Sequence, residues 1–320
     1  MRIFTNPHYN FLRWRWHALA LSAVVILAGI GLMISRGGLP LGVDFSGGTV
    51  LIYKFDRPVT EDAVRQAILH LPGEEVVQSY GSPSENQILI RLPELVEEQG
   101  ASVERGARGV EEALVKANIG TPELRSREIV GPVIGRDLQR KGVYATFASI
   151  LGITAYIALR FRFSFAIGAI AATFHDIFVT LAFLSFAGYE LSLNIVAALL
   201  TITGYSVNDT IVVFDRVREN LRSMRRDALD QVVNTSVNQT LGRTIITAGT
   251  TFFAVLALFL FGGEVLHGFA YTMLVGIVAG TYSTVFIASA IAIILSKRKA
   301  AARAAGAQAG ERKDRKARAS

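Results

Sequence analysis

The stretch TITGYSVNDTIVVFDRVREN, residues 201–220, decides how the chain is read. An apolar run leads into it from Leu191, and more apolar residues follow Asn208 and Asp209 before the charges of Asp215 and Arg216. A run of about 20 such residues suffices to cross a bilayer as a helix. A carboxylate inside it costs at least ~2.5–3.5 kcal/mol on insertion scales, so its presence needs a reason. At 100° per residue, Asn194, Thr201, Tyr205, Asn208, Asp209 and Asp215 fall within an arc of roughly 120°. The opposite side is mostly Ile, Val and Leu, though Thr203 lies there. Asp209 therefore belongs to a polar stripe that faces protein or water rather than lipid. Asn194 and Thr201 read as groups that join helices, with Gly204 allowing close approach. An amide would do the same at lower cost than Asp209, which points that residue toward function.

Composition agrees with a membrane protein. The 320 residues are 51% hydrophobic and 18% charged, with a mean hydropathy of +0.39. Without cysteine, disulfides and thiolate metal sites are excluded. The net charge of +7 is carried largely beside apolar runs and in residues 297–320, which favours a topogenic or lipid-facing role over nucleic acid.

Six segments are long and apolar enough to span a bilayer: 17–35, 142–160, 163–187, 191–214, 244–262 and 268–296. The first reads as an uncleaved anchor, because its leader is long and no small-x-small cleavage site follows. Lys and Arg gather in residues 1–16, at Arg160 and Arg162, in the 215–243 connection and in the KRK at 297. The loops GYELS and GGEVLHG carry none. Both termini and the 215–243 loop are therefore expected in the cytoplasm. Residues 36–141, about 106 in number, are expected on the opposite side of the membrane, as a translocated domain.

That long connection has soluble composition and a readable order. GGTVLIYKF (47–55) reads as a strand and TEDAVRQAILHL (60–71) as a capped helix. EVVQSYG (75–81) and NQILIRLP (86–93) read as two strands. Residues 102–118 are helical, and SREIVGPV (126–133) closes with a strand. The order β-α-β-β-α-β is that of the ferredoxin-like motif. The fold class expected is a polytopic α-helical membrane protein with six transmembrane helices and, between helices 1 and 2, one translocated α+β ferredoxin-like domain, which the resemblance given below makes periplasmic. The 297–320 tail has no apolar period and is expected to be a disordered basic tail with a weak attraction to anionic lipids.

A second ionisable pair, His175-Asp176, lies in the third span. A buried carboxylate and a histidine are both suited to binding protons near neutral pH. As helix neighbours they point about 100° apart and need not touch. Arg243, which opens the fifth span in TLGRTIITAGTT, is either a topogenic end charge or a partner for a membrane carboxylate. No P-loop, HExxH, GxSxG or metal-ligand cluster is present. The YD and GxGD signatures of intramembrane aspartyl proteases are absent, so an enzyme is not expected, and neither is a cofactor.

GVDFSGGT at 42–49 resembles the periplasmic signature of the SecD/SecF family. AALLTITGYSVNDTIVVFDRVREN at 197–220 resembles the fourth-span signature of its SecF members. The six-span layout and LGRTIITAGTT at 241–251 agree, and the likeness covers residues 10–296. It implies a pseudo-symmetric relative of the resistance-nodulation-division transporters. It also implies a heterodimer with SecD, and work beside the SecYEG channel, the SecA motor and YajC. The implied role is to use the proton-motive force to promote translocation of unfolded preproteins. The family's proton pathway maps onto Asp209 and Arg243, with Asn208 beside it and Asp176 as a further candidate. Asp44, Phe45, Gly47 and Gly48 lie in the signature where span and soluble domain join, and Gly there permits turns. The readings set against this one are half of a proton-driven small-molecule transporter and a passive assembly factor.

Overall fold

The computed structural model describes residues 7–71, 76–80, 85–92 and 101–302. The expectations for the far tail and for Arg2 lie outside the described residues. In chain order the elements are α1 (Arg15–Ser35), α2 (Val43–Ser46), β1 (Gly48–Phe55), α3 (Glu61–Ile68), β2 (Val76–Tyr80) and β3 (Gln87–Leu92). There follow α4 (Ala101–Ala117), β4 (Pro122–Val130), α5 (Pro132–Arg160), α6 (Phe163–Ala187), α7 (Leu193–Ser223), α8 (Leu229–Phe261) and α9 (Glu264–Ser283). A π-helical turn, Thr284–Ala288, continues α9. Among the described residues six helices are long and apolar enough to cross a membrane. The chain divides into two compact units, one helical and one built around the sheet.

In the sheet unit the strand order is β2-β3-β1-β4, all neighbours antiparallel. Central β1 is buried on both faces. Leu51, Tyr53 and Phe55 pack on Val64 and Ile68 of α3 and on Val110 and Leu114 of α4. Val50 and Ile52, alternating to the other face, pack with Val43. Thr60 caps α3 by accepting from the Ala63 amide, 3.3 Å. Glu61 on the first turn accepts from both the Ser79 amide and hydroxyl at 2.8 Å, tying α3 to β2. The last strand begins earlier than the sequence suggests, at Pro122, because it pairs along the whole of β1 as far as Phe55. It stops at Val130, where Pro132 opens α5, a position that costs proline nothing.

In the helical unit the core is a continuous cluster that includes Phe165, Ala169, Val213, Phe214, Val233 and Ala288. Small residues set the helix spacing. A Cβ built on Gly168 of α6 would lie 2.5 Å from the Ala288 carbonyl oxygen, and one on Gly280 of α9 2.8 Å from the Ser206 Cβ of α7. Gly188 ends α6 in the left-handed region at φ 75°, with the Tyr189 amide returning to the Leu184 carbonyl.

Helices α7 and α8 outrun their apolar segments. Hydropathy marks only bilayer-compatible residues, whereas α7 continues to Ser223 and α8 starts at Leu229. The 215–243 connection is thus mostly helical. Val217, Val232 and Val233 are buried there, and Asn220 donates to the Ser236 hydroxyl and the Gln239 carbonyl, each at 2.9 Å. Asn234 and Asn238 of α8 clamp the backbone of Tyr9 and Phe11 at 2.8–3.0 Å.

Candidate functional site

Helix α7 carries most of the site. Its buried face is formed by Ile202, Thr203, Ser206, Val207, Thr210 and Val213. Of the arc that the sequence marks as polar, Asn194, Thr201 and Asn208 are exposed, Tyr205 and Asp215 are half-buried, and Asp209 sits at the margin. Two polar groups of the inward face, Ser206 and Thr210, escaped the sequence reading. Isolated hydroxyls at span depth in GYSVNDT were the available signal.

Asp209 faces α8. Its Oδ1 accepts from the Thr244 hydroxyl at 2.8 Å. Its Oδ2 is buried and has no hydrogen-bond partner. Arg243 precedes Thr244 but is exposed and forms no ion pair with Asp209. Of the two sequence readings of Arg243, the arrangement within this one chain therefore lacks the inward pair. Asn208 is exposed and does not join Asp209 in a hydrogen bond. One turn back toward the N-terminus, Ser206 meets a different carboxylate.

That carboxylate is Asp176, 1% exposed on α6. Its Oδ2 accepts from the hydroxyls of Ser206 and of Ser283 on α9, the latter at 2.9 Å. Its Oδ1 lies 2.9 Å from His175 Nδ1. The two neighbours do touch, a contact that their helical angles left open. His175 Nε2 reaches the Ser22 hydroxyl of α1 at 2.9 Å. Beside this cluster Thr210 bonds Thr284 at 2.9 Å, at the start of the π-helical turn. Such turns recur at functional positions. The structure thus holds two separate carboxylate sites along α7: Asp176 of α6, bonded to Ser206 and to Ser283 of α9, and Asp209, bonded to Thr244 of α8.

The signature at 42–49 is tied to the start of α7 within the sheet unit. Asp44 Oδ2 accepts from the Leu193 amide at 2.8 Å, and Ser192 caps through the Ile195 amide. A carboxylate on the first amides of a helix satisfies an orphan donor and complements the dipole. The Gly42 amide donates to the Leu191 carbonyl and the Leu191 amide to Pro40, both at 2.7 Å. Phe45 is buried. Gly47 and Gly48 have φ of 74° and 114°, which side-chain-bearing residues rarely adopt. Arg91 pairs with Glu190 and donates to the Leu41 carbonyl, and burial pushes its guanidinium below the ordinary range. Among the described residues no group of three or more His, Asp or Glu side chains is placed to hold a metal ion.

Residues 110–298 match the family model for the protein export membrane protein SecD/SecF, C-terminal, and residues 33–59 that for the SecD/SecF GG motif. The protein translocase subunit SecF of Rhodothermus marinus is 42% identical over 310 residues, covering 95% of this chain and 98% of the relative. That of Escherichia coli O157:H7 is 39% identical over 292 residues, covering 91% and 89%. Among solved structures, SecDF of Thermus thermophilus, a translocon-associated membrane protein, superposes with a TM-score of 0.80 at 32% identity. The match covers 91% of this chain and 39% of that one, so the chain spans about two fifths of the SecDF polypeptide.

Proposed function

Since the chain belongs to the SecD/SecF family of protein export membrane proteins, we propose that it acts as the SecF half of a proton-coupled export device. Its partner is SecD, in a heterodimer that works with SecYEG, SecA and YajC on unfolded preproteins. The short-loop charges support cytoplasmic termini, and the soluble composition of 36–141 supports a periplasmic unit. We read that unit as ferredoxin-like, a reading supported by its strand order β2-β3-β1-β4.

The observation that carries the proposal is Asp209: a buried carboxylate oxygen without a partner, on a helix whose polar arc is in part exposed. Leaving such an oxygen unpaired is costly in one isolated chain. A SecD helix laid against the arc would supply partners for Asp209, Asn208 and Arg243. Protonation of Asp209 removes its charge and alters which partner it prefers, biasing two packings of the bundle. One elementary charge crossing 100 mV supplies ~2.3 kcal/mol, enough to shift a balanced equilibrium roughly 50-fold.

Proton flux through the reconstituted pair with SecD, with and without a translocating preprotein, tests this. Flux that rises with a preprotein supports coupled export. Flux independent of preprotein points to a small-molecule transporter, and none at all to a passive assembly factor.

A further inference from the structure

Asp176 heads an unbroken series of contacts through three further side chains to a backbone carbonyl. Asp176 Oδ1 lies 2.9 Å from His175 Nδ1, and His175 Nε2 lies 2.9 Å from Ser22 Oγ. Ser22 Oγ lies 3.3 Å from the Tyr282 hydroxyl, which donates to the Ala18 carbonyl at 2.7 Å. Each contact needs one proton. The carbonyl only accepts, so the Tyr282 proton lies there. Ser22 must then supply the proton toward Tyr282, and His175 Nε2 the proton toward Ser22. The contact between Nδ1 and Asp176 requires a further proton on one atom or the other. A neutral imidazole beside an ionised carboxylate carries one proton too few for the series.

Charge leads to the same result. Asp176 and His175 are 1% and 8% exposed. A lone negative charge at span depth is expensive, whereas a pair holding one extra proton is neutral overall. The groups facing the pair from other helices are Ser22 of α1, Ser206 of α7, and Tyr282 and Ser283 of α9, none of them charged. A cavity of about 600 Å³ borders the series, and Phe252 of α8 faces it. Its wall is apolar, with Val25, Val179 and Phe252, except at Ser22, His175 and Tyr282. The cavity wall therefore offers the cluster no competing donor or acceptor.

We infer that His175 and Asp176 form a second proton-binding site, holding one shared proton in the arrangement described and joined through Ser22 and Tyr282 to α1 and α9. When that proton leaves, the neutral imidazole donates from Nδ1 to Asp176. Ser22 then turns its proton to Nε2, and the Ser22–Tyr282 link between α1 and α9 is lost. This deepens the proton-coupled reading by adding a site on α6, separate from Asp209.

The test is the protonation state of His175 in the full-length chain, labelled with ¹⁵N-histidine and reconstituted in phosphatidylethanolamine–phosphatidylglycerol vesicles. Solid-state NMR resolves the two ring nitrogens, and the His175→Gln variant identifies their signals. At neutral pH the expected result is protonated Nε2, with either protonated Nδ1 or an infrared band of a protonated carboxyl that Asp176→Asn abolishes. A bare Nε2 in the unaltered protein overturns the inference. The variant Tyr282→Phe keeps ring and volume but frees the Ser22 proton to satisfy Nε2. A share of the molecules should then carry a bare Nε2. An Nε2 as fully protonated in that variant as in the unaltered protein also overturns the inference. Neither readout depends on export, so this site and the Asp209 reading fail separately.

Discussion

Asp44 Oδ2 accepts the backbone amide of Leu193, the first residue of α7, at 2.8 Å. One side chain of the GG-motif segment thus closes the N-terminus of the helix that carries Ser206, Asp209 and Thr210. Both residues lie within the sheet unit, and the cap is a group that can be altered singly.

Replacing Asp44 with Ala removes that acceptor. The expected cost is ~1 kcal/mol, as for other helix caps. Asp44→Asn keeps an acceptor and should retain most of the stability. Thermal unfolding of the full chain in detergent measures both, and an Asp44→Ala variant as stable as the unaltered protein contradicts the capping role.

Gly280 faces Ser206 across the α7–α9 contact. A methyl there would lie 2.8 Å from the Ser206 Cβ, so the helices must part. Overpacking of this kind costs about 1–3 kcal/mol. Gly280→Ala should lower the midpoint of thermal unfolding and displace Ser206 from Asp176. Gly152, where an added Cβ meets nothing within 4 Å, is the control: its replacement by Ala should leave the midpoint unchanged or slightly raised.

Two carboxylates predict the acid sensitivity of the sheet unit. The Thr121 amide holds Asp56 below its ordinary 3.8, and the Ser79 amide holds Glu61 below its ordinary 4.5. Both folded-state values lie below the unfolded ones. Their stabilisation is therefore fully present above about pH 4–5 and is lost as pH falls through the folded values. Amide hydrogen exchange of β1, β2 and α3 at pH 7 and near pH 3, corrected for intrinsic rates, should show protection falling with pH. The Glu61→Gln variant should show a smaller fall, and an equal one would contradict the assignment.

Much of this architecture is legible in the sequence. Bilayer-length apolar runs mark six helices because hydropathy acts over about 20 residues. The alternation in GTVLIYKF, with β-branched and aromatic residues, marks β1 as a strand. Where α7 and α8 end is not legible, because past the bilayer their stability comes from packing Val217 on partners such as Val233 rather than from hydropathy. The site is legible in its carboxylates and hidden in its hydroxyls. Asp176 and Asp209 stand out against apolar neighbours, but Ser22, Ser206, Thr244 and Ser283 resemble ordinary helix-packing residues until the helices are brought together. The unpaired Asp209 oxygen is a property of the three-dimensional packing alone.

The most direct test of proton-coupled export is preprotein translocation into vesicles containing SecYEG, SecA, SecD and the Asp209→Asn variant, with and without a proton gradient. The amide keeps the size of Asp209 and can still accept from Thr244, but it cannot titrate. The variant is expected to insert, bind SecD and support ATP-driven translocation at the unaltered rate, while losing stimulation by the proton gradient. A full gradient-driven response from Asp209→Asn would contradict the proton role and leave Asp209 as a packing residue between α7 and α8.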